Sequence, residues 1–246
     1  MITLSLTDSA FVGTLTPYTI IYPNVTSGLI GWWKFDEGTG TTSTADSSGN
    51  SITGVLVNSP SWITGKIGSY ALQFNGSNQS VHMPLNLSST NIITVTFWLW
   101  VNAYSNSDKI GVEYSANFNS ANAFIIDIDA SDGKTDLDMR YQEGSTAYNG
   151  GYITRPSAAA WHHYAIIFDR TTGATLGVTT YIDGSPVTTT MVYAGNCASS
   201  NFDNATLYLM SRGSSGLYMA GKLDDFRVYN RALNSSEVTT VFNWHP

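Results

Sequence analysis

Short runs of apolar and alternating residues, broken roughly every 8–12 residues by turn formers, most constrain what this chain can become. They include "ITGVLV", "YALQFNG", "NIITVTFWLWVNA", "AFIIDID", "HHYAIIFDR", "GVTTYIDG" and "LYMAGKLDDFRVYN". Asn75-Gly76, Asp132-Gly133 and Asp183-Gly184 punctuate them. Many short strands at this spacing predict an all-β sandwich or barrel. Strand parity adds direction. In "NIITVTFWLWV", Ile93, Val95, Phe97, Leu99 and Val101 share one face, and Thr94, Thr96, Trp98 and Trp100 share the other. In "AFIIDID", Phe124, Ile126 and Ile128 point to the core, with Ile125, Asp127 and Asp129 outward. Leu137, Met139 and Tyr141 then alternate with Asp136, Asp138 and Arg140, so these two segments predict a hairpin. One helix is expected near the end, over "NSSEVTTVF", with Asn234 and Glu237 forming a capping box.

A chain of 246 residues suits one large β domain. Residues 1–27, Thr-rich and interrupted by Pro17 and Pro23, read as an extended N-terminal arm, and residues 28–246 as the domain. The formal net charge of -7, with eleven scattered Lys and Arg, disfavours a nucleic-acid partner or an anionic membrane. No signal peptide and no membrane span are expected. Cys197 stands alone, so no intrachain disulfide is available. Charged residues are only 12% of the chain, below the usual share of about 25%, a balance common outside cells and on virus particles.

The ordered set "GLIGWWKFDEGTG", "ADSSGN", "ALQFNGSNQSVHMP", "ITVTFWLWVN", "WHHYAIIFD", "TTYIDG" and "MAGKLDDFRVYNRALNSSEV" resembles the laminin-G-like jelly-roll domains of the concanavalin A-like lectin/glucanase superfamily. The likeness covers about residues 28 to 243. It implies a curved sandwich of two antiparallel sheets. It also implies a structural Ca2+ ion tying the N-terminal region to the last strand, with Asp36, Asp46, Asn50 and Asp224 at the matching positions. The alternative for "DSSGN" is an Asx-type turn in which Asp46 caps local N–H groups. Trp161, in "WHH", is expected in the core.

Catalysis is not expected. The superfamily's catalytic members carry a Glu-x-Asp-x-x-Glu strand, whereas Glu37, Glu113, Glu143 and Glu237 are scattered here. "DIDASDGKTDLD" fails as an EF-hand, because Gly133 falls one position late. His162 and His163 are adjacent in a strand and point to opposite faces, so they do not chelate together. A neutral-sugar site combines aromatic platforms with fixed polar groups. The candidates are Trp98, Trp100, Tyr114, Tyr141, Tyr148 and Tyr152, with Asn117, Asp129 and Arg140 as polar partners. The expectation is a non-catalytic recognition or adhesion module, extracellular or at a cell or virion surface. Its expected partner is carbohydrate or another surface polymer. The alternative is a virion structural protein, capsid decoration or tail-associated, using the arm to meet other proteins.

Overall fold

The computed structural model describes residues 24–116, 120–130, 136–142, 148–172, 176–195 and 200–246. In chain order the strands are β1 (Leu29–Trp33), β2 (Ser43–Thr44), β3 (Gly54–Val57), β4 (Ser61–Thr64), β5 (Tyr70–Asn75), β6 (Ser80–Asn86), β7 (Ile92–Val101), β8 (Ile110–Ser115) and β9 (Phe124–Asp127). They continue as β10 (Asp136–Gln142), β11 (Tyr148–Thr154), β12 (Trp161–Asp169), β13 (Val178–Ile182), β14 (Ser185–Val187), β15 (Thr190–Ala194), β16 (Asn204–Leu209) and β17 (Ala220–Tyr229). The helix α1 (Ser235–Phe242) follows.

Among the described residues these strands form two sheets. The first runs β14-β13-β12-β7-β17-β5-β4, with β1 also on β17; the second runs β15-β11-β10-β9-β8-β16-β6-β3-β2. Strand neighbours pair antiparallel, including the expected β9–β10 pair, where Ile126 opposes Met139.

The alternating residues explain the sandwich. Ile93, Val95, Phe97, Leu99 and Val101 of β7 are all at most 3% exposed and enter one core. From the second sheet Val112, Tyr114, Phe124, Ile126, Met139 and Tyr141 meet them. Phe97 lies at the centre, stacked on Tyr164 at 5.1 Å and on Phe226 at 5.6 Å.

The chain's end covers the outer face of the first sheet. Asn234 accepts the Glu237 N–H, and Glu237 accepts the Asn234 N–H, so the predicted capping box is present. Val238 and Val241 of α1 bury against Ala165 and Tyr229. Beyond the helix, Trp244 packs with Trp32, Ile67 and Trp98. That face is therefore a second, smaller apolar layer.

The predicted arm lies largely outside the described residues. Its last residues are tied to the domain: Asn24 accepts from Arg227, the Val25 carbonyl from Tyr229 and the Ser27 carbonyl from Arg231. Trp161 is half-buried rather than in the core, its ring meeting Trp100 edge-on at 6.2 Å.

Candidate functional site

The predicted calcium ligands fall into two groups, Asp46 with Asn50 at β1 and Asp36 with Asp224 at the loop before β5. Asp46 Oδ1 accepts the N–H groups of Trp32 (2.9 Å) and Ser48 (2.8 Å); Oδ2 accepts the Ser48 hydroxyl (2.8 Å) and the Ile52 N–H (3.1 Å). Its lone pairs are spent on donors, as in the Asx alternative. Asn50 turns its NH2 toward the Ile30 carbonyl at 3.0 Å. Asp36 Oδ1 accepts from Ser69 and Tyr70 N–H, and Asp224 Oδ2 from Lys66 and Ile67 N–H. The four residues thus act as two staples. One folds "DSSGN" onto β1, and the other holds the loop before β5. Among the described residues no group of three or more His, Cys, Asp or Glu is placed to hold a metal ion. Asp46 and Asn50 are engaged with protein groups, whereas Asp224 Oδ1 is left without a partner. A chelator should leave the melting temperature unchanged. Asp46→Ala should cost about 2 kcal/mol, because it orphans four donors. A clear drop on chelation would restore the ion.

The aromatic candidates separate as well. Trp98 is 4% exposed, stacked on Phe242 at 5.5 Å with Lys66 Nζ 4.7 Å from its ring. It is covered by the chain's end and offers no platform. Trp100, on the same outer face, is half-buried with Lys222 Nζ at 4.2 Å. Tyr114 and Tyr141 point into the core; their hydroxyls donate to the carbonyls of Leu85 and Asp169. Asp129 is buried, accepting from Ser105 and Asn106 N–H and pairing with Arg155. It is structural. Asn117 lies outside the described residues.

Arg140 is the candidate that lies in the outward row of the second sheet. Cross-strand register sets Val55, His82, Tyr208, Glu113, Ile125 and Arg140 in one row across β3, β6, β16, β8, β9 and β10. This row has the parity opposite to the core, so it forms the outward face of the second sheet. The Arg140 guanidinium lies 5.2 Å from the Tyr148 ring centroid, and His82 meets Tyr208 edge-on at 6.2 Å.

Beside this row opens a cavity of about 580 Å³ lined by Glu113, Ser115, Tyr208, Arg212 and the Gly213–Leu217 turn. The turn is held in place. Ser215 N–H donates to the Arg212 carbonyl, Tyr218 donates to the Ser214 carbonyl, and the Ser214 hydroxyl lies 3.0 Å from that of buried Ser80. Glu113 is 1% exposed; Oε1 accepts from Ser115, and Oε2 has no partner. Burial pushes its carboxyl up, against the Ser115 hydrogen bond and the charge of Arg212. Gln142 is fully buried with neither amide atom bonded, and His82 Nδ1 is also without a partner. Buried polar groups in native folds are nearly always satisfied. Glu113 Oε2, the Gln142 amide and His82 Nδ1 are thus three buried polar groups without partners on one side of the second sheet.

Of these residues only Arg140 and Tyr148 are among the candidates that the sequence offers. A signal was present, since Glu113 is the one charge in the otherwise buried strand "IGVEYS".

The comparisons agree on architecture. A family model described as the concanavalin A-like lectin/glucanases superfamily matches residues 75–239, more than half of the chain. Paraclostridial mosquitocidal protein 1 of Paraclostridium bifermentans is 27% identical over 169 residues, which are 65% of this chain and 13% of that protein. The binding domain of the same toxin superposes with a TM-score of 0.67 at 19% identity, covering 88% of this chain and 52% of that one. Domain 4 of AbnA, a GH43 extracellular arabinanase from Geobacillus stearothermophilus solved with arabinotriose, gives 0.66 at 23% identity, covering 88% and 99%. The binding domain of botulinum neurotoxin DC, solved with SialylT, gives 0.64 at 14%, covering 89% and 52%. The chain spans about half the length of the toxin domains it matches.

Proposed function

We propose that this chain, which belongs to the concanavalin A-like lectin/glucanases superfamily, is a recognition module that binds carbohydrate, without catalysis there, on the outward face of its second sheet. The observation that carries this reading is the cavity of about 580 Å³ beside that row, lined by Tyr208, Arg212 and Glu113, whose Oε2 has no partner. Glu113 and Tyr208 join the sheet to this cavity, and Arg212 rims it. A saccharide offers the matching chemistry, with many hydroxyls that donate and accept and apolar C–H faces that rest on Tyr208. Two of the similar solved domains were crystallised with sugars, arabinotriose in one and SialylT in the other.

The test is a glycan array that includes arabino-oligosaccharides and sialylated glycans, followed by titration calorimetry on the hits. Glu113→Ala and Arg212→Ala should each weaken binding about 10-fold or more, the size of one lost hydrogen bond to a charged group. Trp100→Ala, on the other sheet, should leave affinity unchanged. Binding to no glycan, or loss through Trp100 alone, would overturn the assignment.

A further inference from the structure

At one end of the sandwich, far in sequence from Glu113 and Tyr208, three side chains form a hydrogen-bonded chain. The Ser157 hydroxyl lies 3.2 Å from His162 Nε2, and His162 Nδ1 lies 2.8 Å from Asp183 Oδ2. We propose that Ser157 is an activated nucleophile, with His162 as its general base and Asp183 as the positioning residue, and that it accepts acyl groups from small esters.

The polarity of the chain follows from its end. A carboxylate only accepts hydrogen bonds, so His162 Nδ1 carries the proton that faces Asp183. In the neutral ring Nε2 is then a bare acceptor, and the Ser157 hydroxyl donates to it. This is the order required of nucleophile, base and orienting acid.

The backbone holds all three members. Asp183 sits in the turn between β13 and β14 with φ +50°, and Gly184 follows at +75°. Its other oxygen, Oδ1, accepts the His163 N–H at 2.8 Å, so the carboxylate is fixed from both sides. His162 is in β12, opposite Leu99 of β7. The loop carrying Ser157 is pinned twice: Tyr104 donates to the Pro156 carbonyl at 2.9 Å, and Ala159 N–H donates to the Val101 carbonyl at 2.8 Å. Ala159 holds the left-handed conformation, φ +58°, that an alanine adopts only under constraint.

Access decides the substrate class. Ser157 is exposed, and the side chains of His162 and Asp183 are 18% and 40% exposed. A serine this open to solvent offers little wall for a long acyl chain, so the group accepted is small, of acetyl size. Ser157 Oγ attacks the ester carbonyl while its proton passes to His162 Nε2. The C–O bond to the alcohol breaks, and the alcohol leaves with that proton. Water then adds to the acyl-serine, giving up a proton through His162, and the carboxylic acid departs as the Ser157 O–H is restored.

The test uses the whole chain with a fluorophosphonate probe and p-nitrophenyl acetate, the labelled site being read by peptide mass mapping. Ser157 should label about 100-fold faster than an exposed serine without a base, such as Ser77. Ser157→Ala should remove the label, and His162→Gln should slow it by a similar factor. Melting curves of both variants keep loss of fold apart from loss of reactivity. The imidazole 15N spectrum should show Nδ1 protonated in the native protein and a shift toward the other tautomer in Asp183→Asn. Labelling no faster than at Ser77, or unchanged in His162→Gln, overturns the proposal. The three residues would then be a structural link only.

Discussion

Arg227→Ala should lose about 3–5 kcal/mol of folding stability. Arg227 is fully buried. Its Nη2 pairs with Asp225 Oδ2 at 2.8 Å, and its Nη1 donates to Asn24 at 2.9 Å. The guanidinium lies 4.5 Å from the Trp32 ring centroid and 4.6 Å from that of Trp244. Truncation removes these contacts and leaves the Asp225 carboxylate at 2% exposure, with the Trp32 indole N–H at 2.7 Å as its remaining side-chain donor. An uncompensated buried charge, more than the lost packing, sets the size of the penalty. Asp225→Asn in the same background should therefore recover part of the loss. Asn also tolerates the φ of +48° at this bulge in β17. Guanidinium titrations of the two variants decide the matter. A loss under about 1 kcal/mol, or a second substitution that deepens it, would mean the pair is solvated.

That pair also shows what a sequence hides. The parity of β7 was legible because the period of a strand is 2, and all five predicted inward residues are buried. The α1 cap was legible because its partners are three residues apart. The sandwich, its two sheets and its superfamily follow from such local signals in order. Parity says which residues share a face, but not what covers that face. Trp98 alternates correctly, yet Phe242 and Trp244 return from the chain's end to bury it. Tyr114 and Tyr141 have core parity, and their aromatic character alone suggested a platform. Asp46 and Asp224 match the positions of a shared ion, yet their spacing is equally met by two carboxylates each capping separate backbone N–H groups. Glu113, Gln142, Tyr208 and His82 meet through strand order β6-β16-β8-β9-β10, a long-range pairing that no local pattern reports. Ser157, His162 and Asp183 meet for the same reason, across a loop, a strand and a turn.

Asp224→Asn should stabilise the protein, by an amount that grows with pH and reaches several kcal/mol, on the order of 3–5, above pH 8. Asp224 is fully buried, with Oδ2 accepting two backbone N–H groups and Oδ1 accepting none. Burial pushes its carboxyl from 3.8 up to about 8; the two backbone N–H bonds oppose this, and the charges of Asp225 and Asp36 reinforce it. Between those values the unfolded chain has released the proton while the folded chain retains it, so the unfolded state binds fewer protons and stability falls as pH rises. The favourable contribution is complete below about pH 4 and is gone once the pH has passed through about 8. Asparagine keeps an oxygen for the Lys66 and Ile67 N–H groups and never ionises, so its stability lacks this slope. The variant and the native protein should therefore nearly coincide at pH 4 and diverge steadily to pH 9, when unfolding free energies are measured in urea at each pH. Parallel curves across that range would show that water or an ion reaches Oδ1 in solution. The same experiment repeated with millimolar calcium separates those two cases, because only an ion would make the native protein the more stable of the pair at high pH.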